Sequence, residues 1–197
     1  MPFTNTKESG LESLIVKCLV EENGYEQGAN TDYNREYAVD EMRLFRFLQD
    51  TQPEAMEKLG IFKTDIKKKQ FLNRLQGELA KRGIIDVLRN GIKIYPVDLI
   101  MFYLTPTENN VKAKLMHEKN IFSVTRQLQY STDATRLALD MCLFINGLPV
   151  ITFELKNQLT KQNVDDAVEQ YKTDRDPVSY THLDVYKRQV PVYIGRR

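Results

Sequence analysis

The sequence predicts a mixed α/β domain, with a mixed sheet built around one antiparallel hairpin and flanked by helices. Three observations lead there. Two apolar runs between Arg136 and Lys156 meet at Asn146-Gly147, a strong short-range hairpin signal. Residues 9–22 and 64–82 carry apolar side chains at helical spacing, whereas residues 120–130 alternate with period two. Finally, each run of the hairpin is charged in one place only: Asp140 in the first, Glu154 and Lys156 in the second.

A charge inside a buried strand is costly unless it is paired or holds a metal. Glu154 and Lys156 stand two apart and share a strand face. An acid followed by acid-x-lysine on the next strand is the constellation of a metal-dependent phosphodiesterase. The hairpin sets a geometric condition. A regular two-residue turn pairs Ile145 with Leu148 and puts Asp140 opposite Phe153, so the two carboxylates fall on opposite faces. A three-residue loop brings them to one face, diagonal if Ile145 to Gly147 form it and directly opposite if Asn146 to Leu148 do. The sequence therefore predicts a three-residue turn or a bulge.

These residues resemble the PD-(D/E)xK nuclease pattern, and the words around them narrow the resemblance. Thr125-Arg-Gln-Leu-Gln-Tyr130, Leu139-Asp140, Phe144-Ile-Asn-Gly-Leu-Pro149, Glu154-Leu-Lys-Asn157, Asp165-Asp-Ala-Val-Glu-Gln-Tyr171 and Thr173-Asp-Arg-Asp-Pro177 are similar, in this order, to the N-terminal nuclease domain of the type I restriction enzyme R subunit. Phe45 to Pro53 and Gly83 to Arg89 add to the likeness, which covers roughly residues 5–177. It implies a restriction-endonuclease-like core and a Mg²⁺-dependent endonuclease acting on unmodified double-stranded DNA. It also implies modification (M) and specificity (S) subunits as partners, and a cytoplasmic location. ATP would enter only through helicase-like motor domains absent from this chain, which has no P-loop motif. In this reading Asp140 and Glu154 hold the metal with the Leu155 carbonyl, and Lys156 serves catalysis. Glu12, Arg126 and Gln170 are accessory candidates. Gln170 fits the first place of a Gln-x-x-x-Tyr motif, but Asp174 stands where the tyrosine should be. Two other classes compete: a stand-alone repair or structure-specific nuclease, and an inert docking module.

The 197 residues suit one domain of ordinary size, with 42% hydrophobic and 28% charged residues. No run reaches membrane-spanning length, and the start is no signal peptide. Cys18 and Cys142 both read as small core residues, and two histidines with two cysteines give no zinc spacing. A net charge of +1 gives no general nucleic-acid signature, so most phosphate contacts fall to other domains or subunits.

In chain order, the first helix presents Leu11, Leu14, Ile15, Cys18 and Leu19, with Glu12 either closing a capping box on Ser9 or standing near the metal. Gly24 to Tyr37 is a loop with a short edge strand near Tyr33. Asp40 to Gln49 is a helix with Met42, Phe45 and Leu48 inward. Pro53 opens a helix that Gly60 closes, and a long helix from Thr64 to Arg82 stops at Gly83. Its Lys67-Lys-Lys69 run is a solvated face or, as the minority reading, a DNA-backbone contact. Gly83 to Leu104 reads as a strand pair turning at Asn90-Gly91, with Asp98 structural. Leu115 to Lys119 is a helical turn. Arg126 interrupts the apolar side of strand 120–130, to neutralise a carboxylate or phosphate or to make a strand-edge ion pair. Asn163 caps a helix whose Tyr171 packs inward. Residues 1–177 form the domain. Residues 178–197 resemble translated vector sequence and are set aside as an atypical tail, the alternative being a last strand around Val190 to Ile194.

Overall fold

A computed structural model describes the backbone of residues 8–107, 109–131, 138–156 and 190–195, with side chains for 10–107, 109–131 and 138–155. The chain opens with α1 (Glu8–Lys17), which continues through one π turn at Cys18–Glu22. Three short strands follow: β1 (Glu26–Gly28), β2 (Tyr33–Asn34) and β3 (Val39–Asp40). Next come α2 (Glu41–Thr51), α3 (Pro53–Leu59), α4 (Asp65–Arg82) and α5 (Ile84–Asn90). β4 (Ile92–Ile94), β5 (Val97–Leu99) and α6 (Val111–His117) lead to the long strands β6 (Phe122–Gln129), β7 (Ala138–Ile145) and β8 (Leu148–Lys156). β9 (Val190–Gly195) closes the sheet.

The main sheet is five-stranded and mixed, in the order β1-β6-β7-β8-β9. β6, β7 and β8 run antiparallel, while β1 joins β6 and β9 joins β8 in parallel. The expected mixed sheet with a central antiparallel hairpin is therefore present. Its middle strands are buried on both faces: Val124, Leu128, Met141, Cys142 and Phe144 show no exposed surface, and neither does Ser123.

The helical boundaries follow local chemistry. The Thr64 side chain accepts from the Lys67 amide at 3.2 Å and starts α4, and Gly83, at φ 81°, ends it. Pro53 occupies the first helical position of α3, and Gly60 closes that helix in the left-handed conformation. Asp40 caps α2 by accepting from the Arg43 amide at 3.0 Å.

The hairpin tip is the best-anchored turn of the molecule. Asn146 and Gly147 both take positive φ, 50° and 80°, as a two-residue type I′ turn requires. Asn146 is fully buried, and its side chain accepts from the Ile121 amide (2.6 Å) and donates to the Met101 carbonyl (2.9 Å) and to Asn120 Oδ1 (3.0 Å). The Gly147 carbonyl accepts from the Asp40 amide at 2.8 Å. A Cβ on Gly147 would lie 2.4 Å from the Asp40 carbonyl oxygen, so only glycine lets the start of α2 approach this turn.

Several expectations are corrected. Ile84 to Asn90 form α5, not a strand, because Ile84, Val87 and Leu88 are spaced to bury one helical face. Asn90-Gly91 then ends a helix instead of turning a hairpin, and the strand pair shrinks to β4 and β5. In α1 the buried face is carried by Glu12 and Val16, while Leu14 and Cys18 are exposed, so Cys18 is no core residue. Met42 is half exposed, and α2 buries Leu44, Phe47 and Arg43 beside the expected Phe45 and Leu48. The helix near Leu115 begins earlier, at Val111. Within residues 178–197, which the sequence sets aside, Val190–Gly195 pairs with β8 from Ile151↔Val190 to Lys156↔Gly195, in line with the last-strand alternative. The helix expected from Asn163 lies outside the described residues.

Candidate active site

The β7–β8 ladder meets the geometric condition in an instructive way. The turn keeps only two residues, with Ile145 opposite Leu148 and Phe144 opposite Pro149. The register then shifts, so that Leu143 faces Ile151 and Val150 is left as an extra residue. This bulge moves every later residue of β8 by one place. The last ladder pair is Met141↔Phe153, and one step further Asp140 stands opposite Glu154. Without the bulge Asp140 would face Phe153, with Glu154 on the other side of the sheet.

The ladder stops where the acids begin. Beyond Met141 and Phe153, the Leu155 amide donates to Asp140 Oδ2 at 2.6 Å, a side-chain bond in place of a backbone one. Backbone pairing of the two strands thus gives way to a side-chain bond at the carboxylates, at the end of the hairpin away from its buried tip. In an extended strand a residue's amide and carbonyl point to the same edge, so the Leu155 carbonyl faces β7 and Asp140 too. Glu154 is 5% exposed and Asp140 half-buried. Leu155 itself is buried, at 1%, which pins this segment of β8 in place. The backbone of Lys156 continues β8 two residues beyond Glu154, while its side chain lies outside the described residues.

Glu12 and Arg126 come together at the margin. Ser9 lies inside α1 and not before it, so Glu12 does not occupy the third position after a Ser9 cap. Instead its carboxylate, 3% exposed, accepts from Arg126 Nε at 2.6 Å and from Gln127 Nε2 at 3.2 Å. Arg126 therefore pairs with a carboxylate, which fits both its carboxylate-neutralising and its ion-pair alternatives. The β6–β7 register, Arg126↔Met141 and Leu128↔Leu139, sets Gln127 opposite Asp140. Gln127 also has φ 46°, a backbone conformation that is costly for a non-glycine residue and concentrates at functional sites. Gln127, Asp140 and Glu154 thus occupy one row across three adjacent strands, with Glu12 bonded to the first of them. Sequence reasoning missed Gln127. It looks like any polar residue of an alternating strand, and only the backbone reveals its distortion. Gln170 lies outside the described residues. Asp98 is exposed on β5, in the separate two-stranded sheet β4–β5.

The donor set fits a hard cation. Facing carboxylates and a backbone carbonyl are oxygen ligands, which suit Mg²⁺ better than a thiolate- or imidazole-seeking metal. Among the described residues no three His, Cys, Asp or Glu side chains gather into a metal cluster. Also among the described residues, no helix is long and apolar enough to cross a membrane.

Fold and site together define a mixed α/β domain with a carboxylate pair facing across its central hairpin. The sequence model of the family "type I restriction enzyme R protein N terminus" matches residues 5–194, and the chain belongs to that family. No curated protein and no solved structure matches the chain.

Proposed function

We propose that this domain is the endonuclease of a type I restriction-modification enzyme, with a restriction-endonuclease-like (PD-(D/E)xK) core. It would hydrolyse phosphodiester bonds of unmodified double-stranded DNA after motor domains elsewhere in the R protein translocate it with ATP, in complex with M and S subunits. The observation that carries this reading is the bulge at Val150, which brings Asp140 and Glu154 opposite one another where the ladder ends. A stand-alone nuclease would share this site but not the family. An inert docking module would not need two acids aligned across a hairpin.

Asp140, Glu154 and the Leu155 carbonyl would hold Mg²⁺. The ion would neutralise charge on the scissile phosphate and lower the pKa of a water. The Leu155 amide orients Asp140 by holding one of its oxygens. Glu12, fixed by Arg126 and Gln127, would set the margin of the site on the β6 side. Lys156, on the same strand face as Glu154, would orient or deprotonate the attacking water, or place positive charge at the transition state.

Lys156 gives the test. Lys156→Met keeps the stem and removes the charge, while Lys156→Arg keeps the charge but exchanges a compact ammonium for a planar fork. Both variants are expected to fold, and both to cut plasmid DNA at background level in the reconstituted enzyme. Thermal melts with and without Mg²⁺ beside the cleavage assay separate this from a structural ion pair. Near-normal cutting by the Arg variant, with a Met variant that does not fold, would return Lys156 to structure.

A further inference from the structure

The net charge of +1 conceals a separation of charge. Residues 58–93 hold ten Lys and Arg against three Asp and Glu, leaving the rest of the chain net −6. This segment runs from the end of α3 through α4 and α5 to β4. Two of its three acids are already engaged: Glu78 with Arg74 and Arg82, and Asp86 with Arg82. Lys68 is likewise committed, paired with Glu41 and seated over the Phe45 ring. Lys63, Lys67, Lys69 and Lys81 are exposed and, among the described residues, have no carboxylate within ion-pair distance.

Helical geometry orders these charges. Lys67, Arg74 and Lys81 are seven residues apart, so they fall on one line that drifts by about 20° per step and extends about 21 Å, with Arg74 at its middle paired to Glu78. Lys63 and Lys69 flank its start. The opposite face of α4, with Phe71, Leu72, Leu75 and Leu79, is buried. α4 packs against α5 and β4, and Lys68 near its start pairs with Glu41 of α2.

We infer that the exposed face of α4 binds the phosphate backbone of double-stranded DNA as a sequence-independent hold. This rests on reading the domain as a DNA nuclease. Charge complementarity selects the occupant. A duplex carries one negative charge per roughly 1.7 Å of axis, so a 21 Å line of cations meets about a dozen phosphate charges in any register. Composition points the same way. Seven of the ten cations are Lys, which is depleted in protein–protein interfaces but suits point-charge contacts to phosphate.

The test uses the 197-residue chain and a labelled 30-base-pair duplex, with EDTA present so that binding is read without cleavage. Anisotropy is followed across a salt series for wild type, for Lys63→Gln/Lys67→Gln/Lys69→Gln/Lys81→Gln, and for the same four positions changed to Arg. The Gln set is expected to melt as wild type does, to lose at least tenfold in affinity, and to shallow the salt dependence by about 0.9 in slope for each contact removed. The Arg set should bind as wild type, and two unrelated duplexes should bind alike. Unchanged affinity and slope in the Gln set would overturn the inference. So would a Gln set that loses binding to polyglutamate but not to DNA, which would assign the face to an acidic protein. Lysine-dependent binding beside a reconstituted enzyme that still cuts with Asp140→Ala would leave this surface standing while the nuclease reading fails. Asp140-dependent cutting by the reconstituted enzyme with lysine-independent binding would do the reverse.

Discussion

Glu154→Gln and Asp140→Ala should each reduce DNA cleavage by the reconstituted restriction enzyme to background, while ATP hydrolysis continues at the wild-type rate. In this reading the two acids serve one ion, so losing either removes the site and the effects of the two changes do not add. ATP hydrolysis belongs to other domains in this reading and should not sense the change. Both variants should still fold. Asp140 is half-buried, and Glu154→Gln keeps size and shape while removing a buried charge. Plasmid cleavage and phosphate release, measured in one reaction, check both halves. Cutting that persists in either variant at ordinary Mg²⁺ would contradict the assignment.

The largest expected effect on stability lies away from the site, at Arg43. Its side chain is 5% exposed and satisfies three acids at once: Asp40 at 2.6 Å, Glu26 at 3.0 Å and Asp32 at 3.1 Å, with the Gln27 carbonyl at 3.2 Å. This guanidinium ties β1 and the following turn to the start of α2, and thereby fixes the sheet edge beside β6. Arg43→Ala leaves Asp40 buried without its cation and should cost about 3–5 kcal/mol. For a chain of this length that lowers Tm by roughly 6–20 °C.

The same cluster predicts how this loss depends on pH. Burial alone would raise the Glu26 carboxyl, but Arg46 and Arg43 hold it below its usual value. Burial likewise works against Asp32, and the Ala29 amide and Arg43 outweigh it. Groups lowered in the folded state contribute stability above their unfolded pKa and lose it as pH falls through the folded value. Asp40 is raised, by burial first, with Arg43 only partly opposing. It resists folding as an anion and relents as it is protonated. Removing Arg43 therefore hurts most near neutrality, and the gap between wild type and variant should narrow as pH drops below about 4. Urea melts at several pH values would show this. A gap that widens in acid would refute the sign.

The central hairpin was legible in the sequence because Asn-Gly admits few tight turns and because two acids can serve one ion only from one face. That requirement anticipated a register correction, and Val150 supplies it. The long helix α4 was legible from Thr64 and Gly83, residues whose local chemistry starts and stops a helix regardless of context. Elsewhere the sequence was ambiguous. Ile84 to Leu88 is a short apolar run that suits a strand or a helix equally, and Asn90-Gly91 can end either. β1 is Glu-Gln-Gly, with no strand propensity of its own, and exists through its parallel partner β6. The role of Arg43 was hidden in the sequence because its three acids come from different elements. The sharing of Glu12 between Arg126 and Gln127 was hidden for the same reason: the contact spans more than a hundred residues of chain.

Metal binding tests the central claim most directly, since it depends on the carboxylate pair and on no motor, partner subunit or DNA. Mn²⁺ can stand in for Mg²⁺ and be counted by electron paramagnetic resonance in a titration of the purified chain. Wild type should bind the ion. Asp140→Ala and Glu154→Gln should each bind it at least tenfold more weakly, while Asp98→Ala, an exposed acid on β5, should bind like wild type. Wild-type binding by either site variant would mean that Asp140 and Glu154 do not share an ion, and the account of this domain as a metal-dependent nuclease would fail.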